Sequence, residues 1–119
     1  MSAHKPIANN NLNTVTILYV TVPDTNIANV IAKDLVGKKY AACVNILGPS
    51  QSVYRWNHKI EHSSEFILLV KTTQQNASRT KQFIEDIHPY DTPCVLALGI
   101  DPANSASAFA NWVTENTSA

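Results

Sequence analysis

Neither sign of charge is in excess in this chain. Lysine and arginine together number nine, as do aspartate and glutamate. The one basic pair, Lys38-Lys39, falls where a helix should end and its charge suits the helix dipole. A nucleic-acid binder would show a basic balance or stripe, so nucleic acid is not an expected partner. Cysteine is sparse too: Cys43 and Cys94 stand far apart, neither a CxxC pair nor the dense pattern of a disulfide scaffold. No apolar run approaches a membrane span, and no apolar h-region follows the opening Met1-Ser2-Ala3-His4-Lys5-Pro6. These absences predict a cytoplasmic chain with reduced thiols and no membrane partner. The catalytic signatures are missing as well. There is no nucleophile elbow, no Ser-His-Asp pattern and no zincin motif, so an enzyme is not expected. Lys71-Thr72-Thr73 lacks the glycine-rich loop of a phosphate cradle, which leaves nucleotide binding unsupported.

What is present is enough for one domain. The chain has 119 residues, 45% of them hydrophobic. Residues 1–13 are polar and Asn-rich and predict a disordered tail, which leaves 14–115 as the folded domain. Val15 to Val22 is β-branched and aromatic, as a strand buried on at least one face would be. Pro23 ends it, and Asp24 or Thr25 can cap a helix carrying Ile27, Val30, Ile31 and Leu35 on one stripe. Ala41 to Leu47 is extended, Gly48-Pro49 interrupts it like a bulge, and Ser52 to Trp56 resumes it. Asn57-His58 fits a two-residue hairpin turn into a strand from Lys59 to Thr73. A second helix, about Asn76 to Ile87, places Ala77, Thr80, Phe83, Ile84 and Ile87 on one face. Cys94 to Ile100 is the fourth strand. Pro102 ends it, and Ser105 or Ser107 should cap a last helix bearing Phe109, Trp112 and Val113.

This βαββαβ order with right-handed crossovers predicts an α+β, ferredoxin-like sandwich with an extra C-terminal helix. Two features exceed that plan. The middle strands are about twice the usual five or six residues, so their hairpin must project, carrying Tyr54 and Trp56 into water. An uncovered long edge invites pairing with other chains in a closed ring. The link His88-Pro89-Tyr90-Asp91-Thr92-Pro93 is the second. Its prolines fix φ, remove donors and push His88 and Thr92 out of the helical region.

Taken in order, Ala41-Ala42-Cys43-Val44-Asn45, Ser52-x-Tyr54-x-Trp56, Lys59-Ile60-Glu61, Glu65, Lys71-Thr72-Thr73, His88-Pro89-Tyr90-x-x-Pro93 and Trp112 resemble the CutA divalent-cation-tolerance family. The resemblance runs from about Ile17 to Trp112. It implies a homotrimer of ferredoxin-like subunits, similar in shape to the PII signalling proteins and joined through the long hairpin with Tyr54 and Trp56. It also implies copper binding and tolerance of divalent metals. Three positions depart from the family pattern. His58 stands where the turn usually has glycine. Val20 stands where some bacterial members carry cysteine, so a metal site using that thiol would lack a ligand. Asp91 replaces the commoner Glu or Gln.

Cys43 and His88 are the candidate metal ligands, since thiolate is soft enough for Cu(I) and imidazole suits copper and zinc. The competing readings are a small buried thiol for Cys43 and a helix-terminal histidine for His88. His58 and His62 lie on one hairpin strand, where four residues span about 13 Å, too far for one ion. Glu61, Glu65 and Lys71 share a strand parity, around a subunit cleft or on a solvated face. Two functions follow: a trimeric protein binding copper or another divalent metal, or a PII-like module taking a small ligand in clefts between subunits.

Overall fold

The computed structural model describes residues 14–117, so the tail expected at 1–13 lies outside the described residues. Strand β1 (Val15–Val22) alternates as its sequence does: Leu18, Val20 and Val22 are fully buried, while Ile17, Tyr19 and Thr21 on the other face are partly covered. Helix α1 (Thr25–Gly37) begins at Asp24, whose side-chain oxygen accepts the Ile27 N–H at 2.8 Å. That bond satisfies one of the four orphan donors of the first turn. Asp24→Ala should therefore destabilise the fold by about 1 kcal/mol in urea unfolding.

Strands β2 (Cys43–Trp56) and β3 (Lys59–Thr73) form the long hairpin. Asn57 and His58 both have positive φ, 50° and 65°, the backbone of a type I′ turn. The register slips between Leu47 and Ser50, where Gly48-Pro49 interrupts the pairing. A strand of this length spans roughly 48 Å, which accounts for the 51 Å long axis of a body only 27 × 22 Å across. Helix α2 (Gln74–Ile87), strand β4 (Val95–Gly99) and helix α3 (Ser107–Glu115) complete the chain.

The sheet is antiparallel in the order β2-β3-β1-β4, with β2 and β4 as edges. The expected ferredoxin-like architecture is the one observed. Leu68, Val70, Leu18, Val20 and Val22 join Ile31, Leu35 and Ile84 in a core between the sheet and the pair α1 and α2. Helix α3 lies elsewhere. Lys71, whose side chain points away from that core, rests 5.2 Å from the Phe109 ring centre, so α3 covers part of the opposite face.

Three details of the helices differ from the sequence reading. Val30, expected on the apolar stripe of α1, is 57% exposed, and Ala28 and Ala32 are buried beside Ile31 and Leu35 instead. Neither serine caps α3: Ala106 is the N-cap and makes no side-chain bond, and Ser105 is spent on a short 3-10 turn, Pro102–Asn104, capped by Asp101. On α2 the buried residues are Asn76, Thr80 and Ile84, while Ile87 is exposed. The polar pair is bonded internally in part, although the Asn76 side-chain oxygen is buried without a partner among the described residues. The Asn76 amide donates to Thr73, and the Thr80 hydroxyl donates to the Asn76 carbonyl at 2.7 Å. Among the described residues, no helix is long and apolar enough to cross a membrane.

Candidate ligand cleft

The proline-bounded link after α2 builds the site. Helix α2 stops at His88, which takes an extended backbone with ψ 139°, as a residue before proline must. This swings the imidazole under β1. There Nε2 donates to the Thr21 carbonyl at 2.7 Å, and Nδ1 accepts the Tyr90 backbone N–H at 3.1 Å. The two bonds fix the Nε2–H tautomer and seat the Tyr90 ring 4.7 Å from the imidazole. His88 is thus a buried bracket between β1 and the link.

Tyr90, once seated, donates its hydroxyl to Glu65 at 3.0 Å. Glu65 comes from β3, on the sheet face that the core helices leave open. It is 8% exposed, and no ion pair to it exists among the described residues. Burial, then the Glu65 hydrogen bond and charge, push the Tyr90 phenol up to about 12. It therefore remains a donor across the neutral and alkaline range. Cys94, just before β4, faces Thr21 across the same sheet surface. Burial raises its thiol first and the Glu65 charge second, against a hydrogen bond with Thr21. At neutral pH it is a thiol rather than a thiolate.

The outer half of the hairpin closes the third side. Tyr54 and Trp56 alternate onto the face that looks at the link, and with Thr21, Glu65, Tyr90, Asp91, Thr92 and Cys94 they line an open cleft of about 370 Å³. That is the size of an ordinary small-molecule site. Its walls carry the aromatic side chains of Tyr54, Trp56 and Tyr90, two carboxyl groups and one thiol, and no basic side chain among the described residues.

Of the two sequence-derived ligands, neither lines this cleft. Cys43 is half-buried at the start of edge strand β2, opposite Lys71. Thr21, which holds His88, lies opposite Ile67. Four residues of β3 separate those two levels, about 13 Å. Cys43 and His88 therefore do not meet within one chain. Among the described residues no three His, Cys, Asp or Glu side chains converge as metal ligands. Position 20 is also clarified. Val20 pairs with Leu68 and points into the core, the face opposite Cys43, so a thiol there would not have joined a Cys43 site. What the sequence reading passed over was Cys94, next to the link but with no spaced partner, and Tyr90, whose bond to Glu65 spans 25 positions.

The sequence profile of the CutA1 divalent ion tolerance protein family matches residues 16–116. The chain belongs to the CutA1 family. A divalent-cation tolerance protein CutA from Thermus thermophilus is 39% identical over 101 residues, covering 85% of this chain and 96% of that protein. A CutA homolog from Xenopus laevis is 36% identical over 95 residues; the match covers 80% of this chain but only 62% of that longer protein. The solved Thermus thermophilus Cut A1 structure superposes with a TM-score of 0.83 at 37% identity, covering 88% of this chain and all of that one. The CutA structure from Archaeoglobus fulgidus, described as a periplasmic divalent cation tolerance protein, gives 0.82 at 36% identity, covering 87% and 98%. Of the hallmarks read from the sequence, Tyr54, Trp56, Glu65 and Tyr90 line the cleft, and His88 holds Tyr90 in place.

Proposed function

We propose that this CutA1 chain is a cytoplasmic homotrimer that binds a divalent metal ion, copper first, and so contributes to metal tolerance by binding rather than by turnover. The metal reading is carried by Cys43, a disulfide-free, half-exposed thiol on an uncovered edge strand of a divalent ion tolerance protein. Cys43 and His88 are its ligand candidates. Their separation in one chain makes the pair a matter of neighbouring subunits, and His88 would have to release Thr21 or Tyr90 to ligate. Assembly is supported by the apolar surface a lone chain exposes: Trp56 is 55% exposed and Leu96 59%. These lie on the hairpin and on edge strand β4, where strand pairing between chains would cover them.

The test has two parts. Light scattering on the full chain should give three times the 13.1 kDa subunit mass. Copper titration by calorimetry should show affinity falling about tenfold or more in Cys43→Ala, as expected for loss of a first ligand. Unchanged stoichiometry and affinity in both Cys43→Ala and His88→Ala would remove the ligand assignment. A monomer would remove the trimer. The second reading, a PII-like module for a small ligand, is favoured by the cleft itself. A thermal-shift screen of metabolites addresses it, because a ligand that binds only the folded state raises the melting temperature.

A further inference from the structure

We propose that Lys59 of a neighbouring subunit enters the cleft and supplies the cation that Glu65 lacks within its own chain. The inference rests on the homotrimer proposed above and names a residue pair that holds it together. It does not depend on metal binding.

The need lies at Glu65. At 8% exposure its carboxylate has lost most of its water. Oε2 accepts from Tyr90, a neutral donor, at 3.0 Å, and no ion pair reaches Glu65 among the described residues. Oε1 is not sealed off and opens on the cleft. A carboxylate withdrawn from water is costly unless a cation meets it. Glu61 on the same strand face and Asp91 on the link are exposed, so water serves their charge. Glu65 is the acid that requires a partner.

The positions of the basic residues select Lys59. Of the nine lysines and arginines, Lys5 lies outside the described residues. Lys33, Lys38, Lys39, Arg79 and Lys81 belong to α1, its C-terminal end and α2, the layer on the far side of the sheet. Arg55 alternates onto the face away from Glu65. Lys71 shares that face but rests on the Phe109 ring under α3. Lys59 shares it too, is exposed opposite Trp56 at the hairpin tip, and forms no ion pair among the described residues. Six residues of strand put it about 20 Å from its own Glu65, beyond the reach of the two side chains. The hairpin carries this lysine clear of the body, where it can meet only another copy. A cleft with two acids and no base is its electrostatic complement. Its four-carbon stem and ammonium also suit walls made of Tyr54, Trp56 and Tyr90.

A double-mutant cycle on the full chain tests the pair, read by light scattering and thermal melting. Lys59→Met keeps the length and removes the charge, and should lower the melting temperature of the trimer by about 5 °C. Glu65→Gln keeps an amide oxygen for Tyr90 but needs no cation. In that background Lys59→Met should cost no more than about 1 °C. Circular dichroism checks that each variant keeps the fold. The same cycle with Lys71→Met and with Lys5→Met should show simple additivity. A Lys59→Met effect that is absent, or undiminished beside Glu65→Gln, would overturn the pair and leave the homotrimer standing. So would coupling of Glu65 to Lys5 or Lys71 instead. A parent chain that scatters as a monomer would remove the homotrimer and the pair together.

Discussion

His88→Ala is expected to cost about 3 kcal/mol of folding stability, and to cost it with no metal present. Two hydrogen bonds disappear, and both former partners are left facing a hole. The Thr21 carbonyl loses a donor at 2.7 Å and the Tyr90 N–H loses an acceptor at 3.1 Å, around a side chain that is only 8% exposed. Each bond is worth about 1 kcal/mol net, and stranding the two partners adds about 1 kcal/mol more in all. Urea unfolding in the presence of EDTA reads the loss directly. A histidine whose main role is metal ligation would show little effect in metal-free protein. His88→Asn should recover part of the loss, because a shorter amide can still accept the Tyr90 N–H. His88→Ala also frees Tyr90, so the Glu65 hydrogen bond and the third wall of the cleft should loosen with it.

That bracket also shows why the sequence is so uneven a guide to this molecule. Elements were legible because each is written locally. The alternation of Val15–Val22, the Asp24 cap and the Asn57-His58 turn act within a few residues, and the structure places all three where periodicity and turn chemistry put them. The α3 cap was misread for the opposite reason: Ser105 and Ser107 both fit the N-cap preference, but a 3-10 turn after Pro102 consumed the first and shifted the helix start past the cap position. The cleft was the least legible part. Glu65 is bonded to a tyrosine 25 positions away, and Tyr54 lines the cleft from the outer half of the hairpin, more than 30 positions before the link. Neither distance leaves a spacing to read. Family hallmarks supplied the residues without their arrangement, so reading His88 as a ligand candidate gave no sign that both of its ring nitrogens also hold the link against β1.

Gly48→Ala should be the most damaging small substitution in the hairpin, at about 3 kcal/mol. Gly48 has φ +148°, in the region that side-chain-bearing residues avoid. A Cβ there would stand 2.6 Å from Cδ2 of Phe66 and 3.1 Å from two further ring atoms. Phe66 is partly buried and can give only a little, since it packs against the core and its backbone is paired with Val22. Backbone strain and overpacking each cost about 1–3 kcal/mol. The bulge between Leu47 and Ser50 would shift to relieve them. Everything beyond the bulge depends on it, because it sets which face of the outer hairpin carries Tyr54 and Trp56. Urea unfolding should register the loss, and amide exchange should show faster opening from Ser50 to Glu65 than in the inner half of the strands. The other glycines provide the control. An added Cβ at Gly37 or Gly99 meets nothing within 4 Å, so Gly37→Ala and Gly99→Ala should each stay within about 1 kcal/mol of the parent. If Gly48→Ala proves no worse than these, then Phe66 can move, and the bulge is not what aims the hairpin at the cleft.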